Sequence, residues 1–163
     1  MKVSQKDTMI FKQIHPKACG IAVCRAILYH AKGIELSEQQ VIIDLPWVES
    51  RLDESVISTD ALADVISHYG LNAHVLWSSD EQNIATYQIP DVISEYQSRT
   101  LCVVEKAKDN YHAVLIRRID LANDNVIFMD PENGRNSTIQ ISHFDSMRKC
   151  KDGRELFREL LYA

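Results

Sequence analysis

One stretch decides how the rest of this chain is arranged: FKQIHPKACGIAVCRAILYHAKG, at residues 11–33. The apolar run that follows Cys19 ends at Lys32 and Gly33, and a basic residue followed by glycine is a common helix stop signal. The pattern therefore predicts a helix over Cys19–Lys32. Its N-terminus carries unpaired N–H groups and the positive end of the helix dipole, which favour the thiolate form of the cysteine.

Gln13 lies six residues before Cys19 and gives this helix start a chemical interpretation. Attack of a thiolate on an amide carbonyl creates an oxyanion, which fixed hydrogen-bond donors stabilise. The side-chain NH₂ of Gln13 and the backbone N–H of Cys19 are two such donors. The alternative is a buried core helix, because cysteine is frequently buried in globular proteins. The catalytic interpretation requires a base from elsewhere in the chain.

His112 is the best candidate base because it begins a predicted strand beside a turn, and Asp130 ends the next predicted strand. The start of one strand and the end of its antiparallel neighbour lie side by side, which brings the two residues within hydrogen-bonding reach. An acid in that position orients the imidazole towards the thiol, as in a triad of nucleophile, base and orienter. Asp130 has a simpler interpretation as a turn-forming residue before Pro131.

A zinc site is the main competitor for a site with cysteine and histidine. Cys24 lies five residues after Cys19, about 140° around the helix, so the two thiols diverge. The separation of His112 from Cys150 matches no usual pair of zinc ligands either. The sequence therefore predicts no metal site, and no cofactor.

Length and composition indicate a globular protein of one domain over residues 1–163. Hydrophobic residues make up 45%, charged residues 25%, and the net charge is −5 without a basic block, which makes nucleic acid an unexpected partner. No apolar run approaches the ~18 residues that span a bilayer, so membrane insertion is not expected. Four cysteines and the absence of a signal core predict reduced thiols and synthesis in the cytosol, with signal-independent export as an alternative.

Helical patterns precede strand patterns along the chain. Helices are predicted at about residues 19–32, 37–45, 58–70, 91–97 and 154–161. Strands are predicted at about residues 71–77, 101–104, 111–116, 126–130 and 138–141. This order predicts an α+β fold in which N-terminal helices pack on a C-terminal antiparallel sheet.

With these residues assigned, the pattern resembles the papain-like cysteine peptidases of the bacteriocin-processing type, which cut leader peptides after a double glycine. That family has Gln, five residues, and then Cys-Gly at a helix start, which are Gln13, Cys19 and Gly20 here. Its histidine-bearing strand is similar to residues 111–116, and its Asp-Pro-x-x-Gly turn is similar to residues 130–134. Ile-Ser-His-Phe at residues 141–144 resembles a late Ile-Ser-x-x-Phe element of the family, with one residue fewer between Ser and Phe.

The resemblance implies a papain-like cysteine protease fold that hydrolyses amide bonds of a protein or peptide substrate. Residue by residue, it implies Cys19 as nucleophile, His112 as general base and then acid, Asp130 as orienter and Gln13 as oxyanion donor. Ala18 stands where the family commonly has an acidic residue. The domain is also similar to bacterial effectors and toxins that deamidate glutamine. Deamidation with the same triad and a non-catalytic protein-binding module are therefore two alternatives, and the oligomeric state is not predicted.

Overall fold

The fold is an antiparallel six-stranded sheet with helices on both faces. The computed structural model of the protein describes residues 11–76, 85–89, 94–107, 110–150 and 158–163. Within these ranges the architecture is α+β, as the sequence predicts.

Helix α1 (Cys19–Lys32) has the predicted boundaries. Gly33 ends it with a φ of 69°, and its N–H donates to the carbonyl of Tyr29 at 2.8 Å. This left-handed ending is a conformation that glycine adopts without strain. The other α-helices of the described chain are α2 (Glu38–Asp44), α3 (Trp47–Glu54), α4 (Thr59–His68) and α5 (Ile141–Arg148).

Ser37 caps the start of α2. Ser37 accepts a hydrogen bond from the backbone N–H of Gln40 at 3.0 Å. This N–H group lies in the first turn and has no acceptor within the helix, so the serine supplies one. The side chain of Gln40 does not return to Ser37 but donates to Asp44 at 2.8 Å. The predicted start of this helix at about residue 37 is therefore confirmed.

The sheet has the strand order β1-β6-β2-β3-β4-β5, with every neighbouring pair antiparallel. Its strands are β1 (His74–Leu76), β2 (Thr100–Ala107), β3 (Asn110–Asp120), β4 (Asn125–Asp130), β5 (Arg135–Gln140) and β6 (Leu160–Tyr162). The meander from β2 to β5 follows the sequence prediction. Strand β6 returns from the C-terminus and lies between β1 and β2.

Two predicted helices differ from the structure. Residues 160 and 161 of the predicted terminal helix lie in β6, where Leu160 and Leu161 are buried; residues 154–157 lie outside the described residues. Residues 94–97 form turns rather than a helix, and Ser98 follows with a φ of 56°; residues 91–93 lie outside the described residues. In β6, long-range sheet pairing, which local propensity does not encode, determines the conformation.

Each face of the sheet carries its own hydrophobic cluster. Helix α1 packs on one face, where Ile27 and Leu28 join Leu115 and Met129 in a fully buried core. Helix α5 packs on the other face through Phe144, which contacts Phe128 with ring centroids 5.4 Å apart. The strands between them are buried on both sides, which fixes the position of α1 relative to β3.

None of the helices in the described ranges has the length and apolar character required to span a lipid bilayer.

Gly20 lets α1 approach α4 closely, and its replacement tests this packing. A Cβ at this position would lie 2.6 Å from Cδ1 of Leu62, which is itself 2% exposed and has little room to move. Gly20→Ala gains up to about 1 kcal/mol of helix propensity but overpacks the core at a cost of about 1–3 kcal/mol. We expect a net loss of about 1 kcal/mol in the free energy of unfolding, measured by denaturant titration.

The matched control is the same substitution in a Leu62→Ala background. There the space for the methyl group is already open, so Gly20→Ala is expected to be neutral or stabilising. A rise in the free energy of unfolding on adding Gly20→Ala to the otherwise unchanged protein would contradict the packing argument.

Candidate active site

Three of the predicted site residues come from the ends of three elements. Cys19 is the first residue of α1, His112 lies near the start of β3, and Asp130 is the last residue of β4. Strands β3 and β4 are antiparallel neighbours, with Leu115 paired to Met129. The start of one strand therefore lies beside the end of the other, and α1 presents its N-terminus to the same place.

The side chains of these three residues are in direct contact. Nε2 of His112 lies 2.5 Å from Oδ1 of Asp130, and both side chains are largely shielded from solvent. The imidazole also lies beside the thiol of Cys19, and hydrogen bonding and charge couple the two groups. Because Nε2 is engaged by the carboxylate, Nδ1 is the ring nitrogen available to exchange a proton with the sulfur.

The electrostatics favour an ion pair between Cys19 and His112. Burial raises the pKa of the thiol, but the hydrogen bond and charge of His112, with backbone N–H groups of Ala113 and Gly20, outweigh it and lower the pKa below 9.0. Burial also opposes protonation of His112, but its bonds to Asp130 and Cys19 raise its pKa to about 9. Each group thus stabilises the charged form of the other.

Asp130 is held by further donors. The backbone N–H of Glu132 donates to Oδ1 at 3.0 Å, and Nζ of Lys106 donates to Oδ2 at 3.0 Å. Although burial opposes ionisation, these bonds and the one from His112 hold the pKa of the carboxyl well below 3.8. Asp130 is therefore an anion with a fixed orientation, and it also opens the turn that the Asp-Pro pair predicts.

Gln13 lies in the same place, but its amide is bound within its own loop. Nε2 donates to the carbonyl oxygens of His15 at 3.2 Å and Pro16 at 2.9 Å, while Oε1 is buried without a hydrogen-bond partner. The backbone N–H of Gln13 donates to the carbonyl of Pro131 at 2.8 Å, which ties this loop to the turn after Asp130. An oxyanion would have to draw the NH₂ group away from one of the two carbonyls.

Glu38 anchors the loop before α1, a role that the sequence analysis missed. Its carboxylate is buried and accepts the backbone N–H groups of Ile14 and His15, each at 3.0 Å. The sequence places Glu38 in the first turn of α2, where an acidic residue is expected to be solvated. Only the packing of α2 beside this loop identifies it as an anchor.

A cavity of about 350 Å³ opens beside the Cys19 thiol. The residues that line it are Gln13, Pro16, Lys17, Cys19, Val56, Lys106, Asn110, Tyr111, His112 and Glu132. A second, narrower cavity of about 40 Å³ reaches Cys19 from the side of Gly20 and Leu62. The predicted nucleophile and base therefore border space where a substrate can bind, although Cys19 itself is 6% exposed.

The other cysteines have no comparable surroundings. Cys24, Cys102 and Cys150 are buried and free, and the thiol of Cys24 donates to the carbonyl of Leu62 at 3.7 Å. Burial raises the pKa of Cys102 to about 11. Among the described residues, Cys19 is the thiol whose pKa is lowered by a histidine.

One group of potential metal ligands overlaps this site. Ligand atoms of His112, Asp130 and Glu132 lie within 4.8 Å of one another. The ammonium group of Lys106 already lies between the two carboxylates, and Nε2 of His112 contacts Asp130. A cation at this position would have to displace the lysine, so the arrangement fits an ion-pair network better than a metal centre.

Comparisons with known proteins bear on the fold. No protein-family model and no curated protein sequence matches this chain. Among solved structures, the chain is similar to the peptidase domain of Streptococcus ComA, a bifunctional ABC transporter involved in a quorum-sensing pathway. The TM-score is 0.68 and the identity 15%, over 94% of this chain and 95% of that one. The α+β papain-like fold is thereby confirmed, and the catalytic roles of individual residues stay predictions.

Proposed function

We propose that this protein is a cysteine peptidase in which Cys19, His112 and Asp130 act as nucleophile, general base and orienter. The observation that carries the proposal is geometric: a helix-start thiol and a histidine that contacts an aspartate border the same substrate-sized cavity. The likeness of the fold to a peptidase domain supports the same reaction class. The substrate class is accordingly a peptide or protein.

In the first half of the reaction, the thiolate of Cys19 attacks the carbonyl carbon of the scissile amide. A carbon–sulfur bond forms and the carbonyl oxygen becomes an oxyanion. As this tetrahedral species collapses, the imidazolium of His112 transfers a proton to the amide nitrogen, and the carbon–nitrogen bond breaks. The amine product leaves, and the acyl group remains on sulfur as a thioester.

In the second half, water replaces the amine. His112, now neutral, removes a proton from the attacking water, a second oxyanion forms, and the thiolate leaves as the carboxylic acid is released. Asp130 keeps the same ring nitrogen engaged throughout, so the other nitrogen stays directed at the reacting atoms. The carboxylate stabilises the imidazolium and does not itself take the proton.

The oxyanion is proposed to be bound by the backbone N–H of Cys19 and by the side-chain amide of Gln13. A donor that acts only on the transition state contributes mainly to kcat. We expect Gln13→Ala to reduce kcat by about 10- to 1,000-fold while KM changes little, measured by steady-state kinetics on a cleaved peptide.

Gln13→Glu is the matched variant, since it keeps the shape of the side chain but replaces the donor by an anion. Its loss of kcat is expected to equal or exceed that of Gln13→Ala. A Gln13→Glu enzyme with unchanged kcat would exclude the amide of Gln13 as the oxyanion donor.

Mass spectrometry of candidate substrates separates peptide cleavage from side-chain deamidation. Cleavage produces fragments whose masses add up to that of the substrate plus water, whereas deamidation leaves the chain intact and about one mass unit heavier. We expect fragments that form with the unmodified protein and disappear when Cys19 is first alkylated by iodoacetamide. Intact, heavier chains would instead assign the site to deamidation by the same thiol chemistry.

A further inference from the structure

Lys106 occupies an irregular position on β2, next to the predicted triad. The pairing of β2 with β3 is regular up to Glu105 and resumes at Ala107, so Lys106 is left without a partner in the register. An extra residue of this kind forms a bulge, which redirects side chains and is frequent beside active sites. Here Nζ of Lys106 donates to Asp130 at 3.0 Å and to Glu132 at 3.2 Å.

Each oxygen of the Asp130 carboxylate contacts a different cationic group. Oδ1 faces Nε2 of His112, and Oδ2 faces Nζ of Lys106. The site is therefore a row of alternating charges: thiolate, imidazolium, carboxylate and ammonium. The side chain of Lys106 is 33% exposed and that of Asp130 is 15% exposed, so solvent screens this contact only in part.

We propose that Lys106 is a positioning residue: its ammonium group fixes the Asp130 carboxylate and sets the pH range over which the Cys19–His112 ion pair persists. This inference deepens the proposed function and rests on it. The charged and titratable groups around the pair are Cys24 from α1, Lys17 from the loop before it, Lys106 from β2, Tyr111 from β3, Asp130 from β4 and Glu132 from the following turn.

The sign of the effect follows from the charge of Lys106. A nearby cation favours the thiolate of Cys19 and disfavours the imidazolium of His112. If the cation is removed, the pKa of each group rises, because the thiolate loses stabilisation and the imidazolium loses repulsion. The pH range of the ion pair therefore moves upwards as a whole. A purely mechanical role in holding Asp130 would weaken catalysis without such a coordinated displacement.

The test compares the rate of iodoacetamide alkylation of Cys19 across about pH 4 to 10, with peptide-level mass spectrometry to assign the labelled cysteine. In Lys106→Met, we expect the acid limb of the profile to move up by about half a unit to one unit, and the pKa of His112, followed by NMR of its ring protons, to move up with it. A purely mechanical role in holding Asp130 would instead lower the pKa of His112. Lys106→Arg retains the charge and should stay close to the unmodified protein. Lys106→Gln is a second neutral variant, which decides the question if the methionine variant does not fold.

Arg118→Met is the matched control, since it also removes one exposed cation from the same sheet. Arg118 lies on β3 about 20 Å along the strand from His112, and it pairs with Asp120 instead. Its profile is expected to coincide with that of the unmodified protein. Neutral Lys106 variants with an unmoved acid limb would overturn the proposal, as would an equal displacement in Arg118→Met.

The alkylation profile keeps this inference distinct from the proposed function. Alkylation reports the charge state of Cys19 whether or not the protein cleaves an amide bond. A displaced profile in a protein that cleaves no peptide would support the role of Lys106 and count against the peptidase. An unmoved profile in an active peptidase would overturn the role of Lys106 and support the proposed peptidase.

Discussion

Replacing Cys19 by alanine is expected to abolish amide hydrolysis, with a loss of at least about 10³-fold in kcat/KM. The thiolate is the only group in the proposed reaction that forms a bond to the substrate, so no neighbouring side chain replaces it. Cys19→Ser places a hydroxyl group where the thiol was, but His112 does not ionise that oxygen. A similar loss of kcat/KM is therefore expected. The measurement is kcat/KM on a cleaved peptide.

Cys24→Ala is the matched control on the same helix. Cys24 is buried, and burial and the neighbouring Cys19 raise its pKa, so it supplies no thiolate to the reaction. This variant is expected to keep its kcat/KM provided that circular dichroism shows an intact fold. A folded Cys19→Ala protein that retained a tenth of the activity would contradict the mechanism. If a biological effect persisted without hydrolysis, the binding-module alternative would be favoured.

Replacing His112 by alanine is expected to remove both hydrolysis and the reactivity of Cys19 in mildly acidic solution. Burial alone raises the pKa of this thiol, and His112 is the largest influence in the opposite direction. Without the imidazole, the pKa of the thiol should rise, because burial is then opposed only by the backbone N–H groups of Ala113 and Gly20. At about pH 6, alkylation should then slow by at least about tenfold, and kcat/KM should fall by about 10³-fold.

The pH dependence of the Cys19–His112 ion pair in the unmodified protein follows from the pKa values of the same two groups. The ion pair forms above the lowered pKa of Cys19 and disappears as the pH rises past about 9, where His112 loses its proton. His143→Ala is the control, because His143 is exposed on α5. Equal alkylation rates at about pH 6 in His112→Ala and in the unmodified protein would exclude the ion pair.

The role proposed for Gln13 requires a rearrangement that the roles of Cys19 and His112 do not require. Cys19 and His112 already contact each other, whereas the amide of Gln13 is bound to two carbonyls of its own loop. Glu38 and Pro131 both hold that loop through its backbone N–H groups. The anchors keep Gln13 at the wall of the cavity that Cys19 also lines, and in the proposed mechanism the oxyanion has to draw the amide away from these carbonyls.

The sequence by itself determined the features that depend on neighbouring residues. The boundaries of α1 followed from an apolar run closed by a basic residue and a glycine. The turn after Asp130 followed from its Asp-Pro pair, and the meander followed from alternating strands separated by turn residues. These features predicted that His112 and Asp130 would be adjacent, because antiparallel neighbours place the start of one strand beside the end of the next.

Only the tertiary structure decided the features that depend on residues far apart in the chain. The C-terminal Leu160 and Leu161 read locally as a helix, but they complete the sheet between β1 and β2. Nothing in the sequence around Glu38 or Lys106 identifies their partners, which are the loop of Gln13 and the carboxylate of Asp130 in the folded chain. Periodicity and helix caps depend on residues within a few positions of one another, so the sequence shows them directly. The partner of a strand or of a charged side chain depends on how distant elements pack, which only the tertiary structure shows.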